Sequence, residues 1–258
     1  MPVAVITGAS RGIGKQLSID LAQAGYDIVA TARSSADSPN PQNLPGTIDE
    51  TAELVRAYGR QCMPARLDIK DEEAVAALAD RVYGEWGRCD LLVNNAAIAI
   101  PGPTLELPTR RWRQAVDINI NGPLYCMYYF CPRMKPGEGR VVNISSGASQ
   151  QPEFGRVSYT VTKRALEAMT EGLASELAGK VAVNCIRLEL GVWSEGFTHT
   201  LGEGDYSDME DPIIMSDAVL WFANQPIDYT GKVLTIAQLR DLGAVRPKTR
   251  IGDRLKPG

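Results

Sequence analysis

Apolar residues gather into short runs rich in β-branched side chains at positions 3–6, 28–31, 62–67, 91–93, 141–144, 181–186 and 233–236. Between runs the apolar spacing changes to one residue in three or four. Ile13, Leu17, Leu21 and Ala24 follow Gly12 on one helical face, and Gly25 stops the pattern. Val75, Leu78 and Val82 repeat it after Asp71. Apolar strands alternating with amphipathic helices predict βαβ units and an α/β fold, a doubly wound seven-stranded parallel sheet with helices on both faces. One domain over residues 1–240 absorbs all of these elements. Residues 241–258 read as a solvated C-terminal extension, with a subunit-contacting arm as the alternative.

Two stretches break the rhythm. Residues 34–46 contain Pro39, Pro41 and Pro45 and read as an extended surface loop after the second strand. Residues 190–211 mix Gly191, Gly196, Gly202 and Gly204 with Trp193, Phe197 and Tyr206, the composition of a flap over a pocket. Loops at the carboxyl ends of parallel strands contact ligands, and this one follows the sixth strand. Tyr125, Met127, Tyr128, Tyr129 and Phe130 lie on a helix apolar nearly all round, which predicts burial in the core or at a subunit contact.

Composition narrows the function classes. The chain has 258 residues, 44% hydrophobic and 22% charged, in the globular range. Its net charge is −4, and the basic block noted is the tail Arg246-Pro247-Lys248-Thr249-Arg250, so nucleic acid is excluded as a partner. Five cysteines without a CxxC pair read as reduced, buried thiols of a cytoplasmic protein. The single histidine, His199, leaves no basis for a histidine metal site or a Ser-His-Asp triad, and no metal is expected. His199 itself reads as a surface or packing residue, with substrate contact as the alternative. No run approaches the roughly 18 apolar residues of a membrane helix.

The first strand passes directly into Thr7-Gly8-Ala9-Ser10-Arg11-Gly12-Ile13-Gly14. Gly8 permits a tight turn, Gly12 lets the backbone approach a pyrophosphate, and Gly14 brings the helix against the sheet. The free N–H groups of the helix then hold the anion. A glycine turn between a strand and a helix is the context that gives such a motif its meaning, so the expectation is a dinucleotide cofactor. An NAD site carries an acid about 20 residues after the glycines. Here the second strand ends Ala30-Thr31-Ala32-Arg33, and an arginine at that place suits a 2′-phosphate. NADP(H) is therefore expected over NAD(H), with Arg11 as a second cation.

Tyr159 and Lys163 stand four apart in a helical segment and share a face. A free phenol ionises near pH 10, and lowering that by about 3 units takes about 4 kcal/mol. One ammonium about 4 Å away supplies roughly that energy at an effective dielectric of 20. The pair is thus suited to general acid/base work. The fifth strand ends Asn143-Ile144-Ser145-Ser146, where a hydroxyl can donate to an oxygen that gains charge, or can simply cap a turn.

Taken in order, Thr7-Gly8 to Gly14, Asp68, Asn94-Asn95-Ala96, Asn119, Ser146, Tyr159 and Lys163 make the chain resemble a short-chain dehydrogenase/reductase of the compact single-domain type. The resemblance covers about residues 3–237. It implies a Rossmann-type sheet and hydride transfer between a nicotinamide and a carbonyl or alcohol. By it, Tyr159 is the acid/base, Ser146 orients the substrate, Lys163 tunes Tyr159 and holds the ribose, and Asn119 anchors a relay water. It places Asp68 and Ile69 at the adenine and Asn95 and Ala96 on the adenosine side, beside Ser10, Ile13 and the glycine turn. It also implies a homo-oligomer, a dimer or tetramer. Two departures stand out: Ala97 follows Asn94-Asn95-Ala96 where the family has glycine, and Leu188-Glu189 replaces a Pro-Gly pair that shapes the nicotinamide pocket.

The reading that follows is an NADP(H)-dependent oxidoreductase acting on a secondary alcohol or ketone. Ile98, Ile100, Phe154, Trp193 and Phe197 suggest an apolar pocket and a small lipophilic substrate. The competing readings are an NAD(H)-dependent dehydrogenase and a catalytically impaired nucleotide-binding subunit of the same fold.

Overall fold

The computed structural model describes residues 1–38, 40, 44–202 and 204–254, with the backbone alone at Thr200 and Arg254. Pro39 and Pro41 of the expected loop, Glu203 of the flap and residues 255–258 of the extension lie outside the described residues. In chain order the elements are β1 (Val3–Thr7), α1 (Gly12–Gln23), β2 (Asp27–Ala32), α2 (Ile48–Ala57), β3 (Cys62–Arg66), α3 (Glu72–Trp86) and β4 (Leu91–Asn94). Then come α4 (Thr109–Val116), α5 (Gly122–Phe130), β5 (Gly139–Ser146), α6 (Val157–Glu176), β6 (Val181–Leu188), α7 (Glu195–Leu201), α8 (Ile213–Ala223), β7 (Val233–Thr235), α9 (Ile236–Asp241) and α10 (Ile251–Arg254). The strands form one seven-stranded sheet in the order β3-β2-β1-β4-β5-β6-β7, and every neighbouring pair is parallel. The doubly wound α/β class expected from the apolar runs is what the chain forms.

Alternation along the strands explains why both faces are covered. In β1, Ala4 and Ile6 face one layer with Leu17 and Leu21 of α1 and Val219 and Phe222 of α8. Val3 and Val5 face the other, with Val75, Leu78 and Val82 of α3 and Phe130 of α5. The order in which strands are added reverses between β1 and β4, the switch point where open parallel sheets bind ligands beyond the strand ends.

Two expectations need correction and one is divided. The helix carrying Tyr125 to Phe130 gives only part of its surface to the core: Met127 and Phe130 are buried, whereas Leu124 and Tyr128 are exposed on the single chain. The extension does not run free in solvent either. Val245 and Ile251 are buried. The Ile251 N–H donates to the Met209 carbonyl at 2.8 Å, that of Gly252 to Ser207 at 2.9 Å, and that of Asp211 to the Thr249 carbonyl at 2.7 Å. Buried Glu210 also accepts from Arg240 and from the Thr249 N–H. The extension therefore straps down the second half of the flap. All five thiols are free and buried, and burial pushes those of Cys62, Cys126, Cys131 and Cys185 up to about 12. No helix among the described residues is long and apolar enough to cross a membrane. The second correction, a basic cluster overlooked in the sequence, belongs to the site.

Ending the chain at Arg246 removes the strap and the buried Ile251 side chain. Urea unfolding should show a loss of about 2 kcal/mol, and limited proteolysis should cut faster within residues 190–211. Unchanged cleavage there would contradict the strap.

Candidate active site

The turn from β1 into α1 is possible only with glycines at set points. A Cβ on Gly14 would lie 2.2 Å from the Gly8 carbonyl oxygen, an overlap no side chain can relieve. The end of β4 braces the turn: Asn95 Nδ2 donates to the Thr7 carbonyl at 2.8 Å, and the N–H groups of Asn95 and Ala96 donate to Thr7 Oγ1 at 3.0 Å. Ser10 is buried behind the turn and Ile13 half-buried at the start of α1. The Gly12 N–H donates to a carboxylate oxygen of Glu195, on α7, at 2.8 Å. The cradle already holds an anion, the chemical character of a pyrophosphate, so these residues fit a dinucleotide.

Beyond the turn, the Arg11 guanidinium donates to Ser34 Oγ and to the carbonyls of Pro45 and Gly46. Burial lowers its pKa; Glu195 opposes that shift and Arg33 adds to it. Arg33 is exposed and makes no hydrogen bond or ion pair among the described residues. Asp68 lies half-buried with Lys70 Nζ 3.5 Å away. Ile69 packs where a Cβ on Gly122 would stand 2.7 Å from it. Beside this turn, Lys70, Arg110, Arg111, Arg113, Gln114 and Asp117 line an open cleft of about 440 Å³. Its three arginines form a basic block at the start of α4 that reading the tail as the basic segment passed over.

Tyr159 and Lys163 project from the first turns of α6. The buried Lys163 Nζ donates to the Ile144 carbonyl at 2.7 Å and lies 5.6 Å from the centre of the Tyr159 ring. Ser146, the last residue of β5, is half-buried, and its hydroxyl accepts weakly from the Ala148 N–H at 3.3 Å. Asn119 is buried in a π-helical turn over Asp117–Asn121, between α4 and α5. Its side chain accepts from the Ile98 N–H, donates to the Ile98 carbonyl, and donates to Thr162 Oγ1 on α6 at 3.0 Å. The structure thus brings Asn119, Ser146, Tyr159 and Lys163 around the carboxyl ends of β4 and β5.

The two serines differ in role. Ser145 Oγ turns inward and donates to buried Glu167 at 2.7 Å. Ser149 Oγ, Gln150 Nε2 and two Arg187 nitrogens also donate to that carboxylate. Burial raises the Glu167 pKa, but the bonds from Arg187, Ser149 and Ser145 outweigh it and hold the carboxyl below its ordinary range. Sequence reading missed Glu167, since its partners are 17 to 22 residues distant and no local spacing marks them. It also missed why Leu188-Glu189 replaces Pro-Gly. The Glu189 carboxylate accepts from the N–H groups of Ile236 and Ala237 at 2.9 and 2.7 Å, capping α9.

Of the residues expected to line an apolar pocket, Ile100 is buried, Ile98, Trp193 and Phe197 are half-buried, and Phe154 is 92% exposed. His199 is exposed on α7. No cluster of three metal-ligating side chains occurs among the described residues.

Comparison with known proteins identifies the family and agrees with the fold. The sequence profile of the family described as short chain dehydrogenase matches residues 2–193. Hydroxysteroid dehydrogenase-like protein 2 of Bos taurus is 30% identical over 232 residues, 89% of this chain and 55% of that protein. The Homo sapiens protein of the same name is 30% identical over 88% of this chain and 54% of its own. The chain thus spans about half the length of these curated relatives. Among solved structures, a short chain dehydrogenase of Mycobacterium thermoresistibile superposes with a TM-score of 0.84 at 28% identity, covering 94% of this chain and 87% of its own.

Replacing Glu167 by Gln should lower stability by about 2 kcal/mol at neutral pH, the size of a bond to a charged group. A carboxyl held below its unfolded pKa stabilises the fold above the ordinary carboxylate range, and that contribution is lost as pH falls through the lowered folded value. The difference between parent and Glu167→Gln in urea unfolding should therefore shrink in acid. A difference constant with pH would show that Glu167 is not ionised in the fold.

Proposed function

The chain belongs to the short-chain dehydrogenase family, and on that premise we propose that it is an NADP(H)-dependent oxidoreductase interconverting a ketone and a secondary alcohol. The observation that carries this is the pair on α6: Lys163 is buried, pinned to the end of β5, with its charge beside the Tyr159 ring. The glycine turn, Asn95 and Ala96 would hold the pyrophosphate and adenosine, Asp68 and Ile69 the adenine, and Arg33, with Arg11 behind it, the 2′-phosphate. Lys163 would also reach the ribose.

When bound, the nicotinamide supplies a hydride to the carbonyl carbon, or accepts one from the alcohol. The protein's share is the proton and the geometry. Tyr159 gives its hydroxyl proton to the carbonyl oxygen, and Lys163 stabilises the phenolate left behind by Coulomb attraction. Ser146 donates a hydrogen bond to the same oxygen, where negative charge develops. Asn119, fixed to Ile98 and Thr162, would hold the water that returns a proton toward Lys163 and Tyr159.

The substrate we infer is a lipophilic carbonyl or alcohol of the terpenoid, steroid or aromatic ketone class. Leu105 and Phe154 are fully or almost fully exposed on two loops joined by the Gly102 N–H and the Gly155 carbonyl, and would offer such a substrate apolar surface. The curated relatives carry hydroxysteroid dehydrogenase in their names, which supports the same class. The exposed Leu124 and Tyr128 on α5 favour a homo-oligomer.

Tyr159→Phe should reduce turnover of a responsive ketone at least the 10²-fold typical of a lost proton donor, while the NADPH dissociation constant stays nearly unchanged. Near-normal turnover would remove Tyr159 from the mechanism. Arg33→Ala should weaken NADPH by about ten- to a hundredfold and leave NADH binding as it was. A parent that prefers NADH, or equal losses for both nucleotides, would remove Arg33 as the selector.

A further inference from the structure

Two helix N-termini meet at the glycine turn. Gly12 is the first residue of α1, and Ser194 caps α7, accepting from the Phe197 N–H at 3.2 Å. They touch closely, since a Cβ on Gly12 would stand 2.6 Å from Ser194 Cβ. The N-terminal end of α1 carries partial positive charge, and Arg11 adds a full one. An anion belongs beside it. The chain supplies its own: Glu195, first residue of α7, puts a carboxylate oxygen 2.8 Å from the Gly12 nitrogen.

A cofactor's pyrophosphate would need that same place, because the N–H groups opening α1 are what a dinucleotide's phosphates bind. A carboxylate and a pyrophosphate cannot share it, since like charges at contact distance repel. We propose that Glu195 is an internal competitor for the pyrophosphate. The carboxylate leaves when the nucleotide enters, so cofactor binding is weakened and tied to release of α7 from the turn. The second half of the flap stays anchored by Glu210, Thr249 and Ile251, which confines the movement to residues near α7. This makes Glu195 a determinant of cofactor affinity, and it rests on the nucleotide-binding part of the proposed function.

The test is the dissociation constant, by calorimetry, of NADPH, ADP-ribose and adenosine for the parent, Glu195→Gln, Glu195→Ala and Asp208→Asn. The last removes the same charge from an exposed flap side chain paired to Arg250. Loss of a charged competing bond should tighten NADPH and ADP-ribose about tenfold in both Glu195 variants. Adenosine, which lacks the pyrophosphate, should bind all four proteins alike, and Asp208→Asn should match the parent throughout. Unchanged or weaker ADP-ribose binding by the Glu195 variants would overturn the proposal, as would an equal gain in Asp208→Asn. ADP-ribose cannot carry out redox chemistry, so a parent that binds it but reduces no ketone would fail the oxidoreductase reading and leave the competitor standing.

Discussion

The bond from Lys163 Nζ to the Ile144 carbonyl is the contact on which the candidate site is organised. An ammonium taken out of water costs several kcal/mol unless polar groups receive it, so α6 can bury this one only by meeting the end of β5. That meeting fixes where Tyr159 stands, four residues earlier on the same helix. It also sets the distance to Ser146, two residues beyond Ile144. Around it the chain closes a second tie, from Ser145 and Ser149 through Glu167 to Arg187, which joins α6 to the ends of both β5 and β6. The candidate side chains are held by their neighbours more than by each other.

Acidic residues do the corresponding work in the segment after β6. Glu189 stands where the family has glycine, and its carboxylate caps α9, so this departure is a structural substitution that ties the β6 corner to the last helix of the sheet layer. Glu210 joins the far end of the flap to Arg240 and Thr249. Between these fixed ends, the Glu195 carboxylate is bound to the glycine turn. A segment anchored at both ends and held in the middle by a displaceable anion is built to respond to a phosphate.

The sheet was legible because strands buried on both faces read as unbroken apolar runs, and each of the seven expected runs overlaps a strand. β5 and β6 extend two residues beyond the apolar run at their carboxyl ends, into Ser145-Ser146 and Arg187-Leu188, where polar site residues interrupt the pattern. The glycine turn and the Tyr159–Lys163 pair were legible for a related reason, since each depends on spacing within a few residues. What escaped was long-range. The Glu195–Gly12 contact spans 183 positions and Glu189 reaches 47 positions to its helix. No periodicity encodes either. The α5 pattern left core and subunit contact open, because tyrosines count as apolar wherever they point; in the fold Met127 and Phe130 take the core while Tyr128 faces outward. The strap formed by the extension was hidden by its charge, which conceals two buried side chains, Val245 and Ile251.

The account's central claim is that the pinned Tyr159–Lys163 pair serves hydride exchange with a carbonyl. The most direct measurement is isotope transfer. The protein is incubated with NADPH deuterated at C4 of the nicotinamide, in both stereoisomers, and with a panel of steroid, terpenoid and aromatic ketones, and the products are read by mass spectrometry. The account predicts that one isomer, and not the other, delivers a single deuterium to the former carbonyl carbon of at least one ketone. Intact ketones and undiminished label in every reaction, from a protein that binds NADPH, would contradict it.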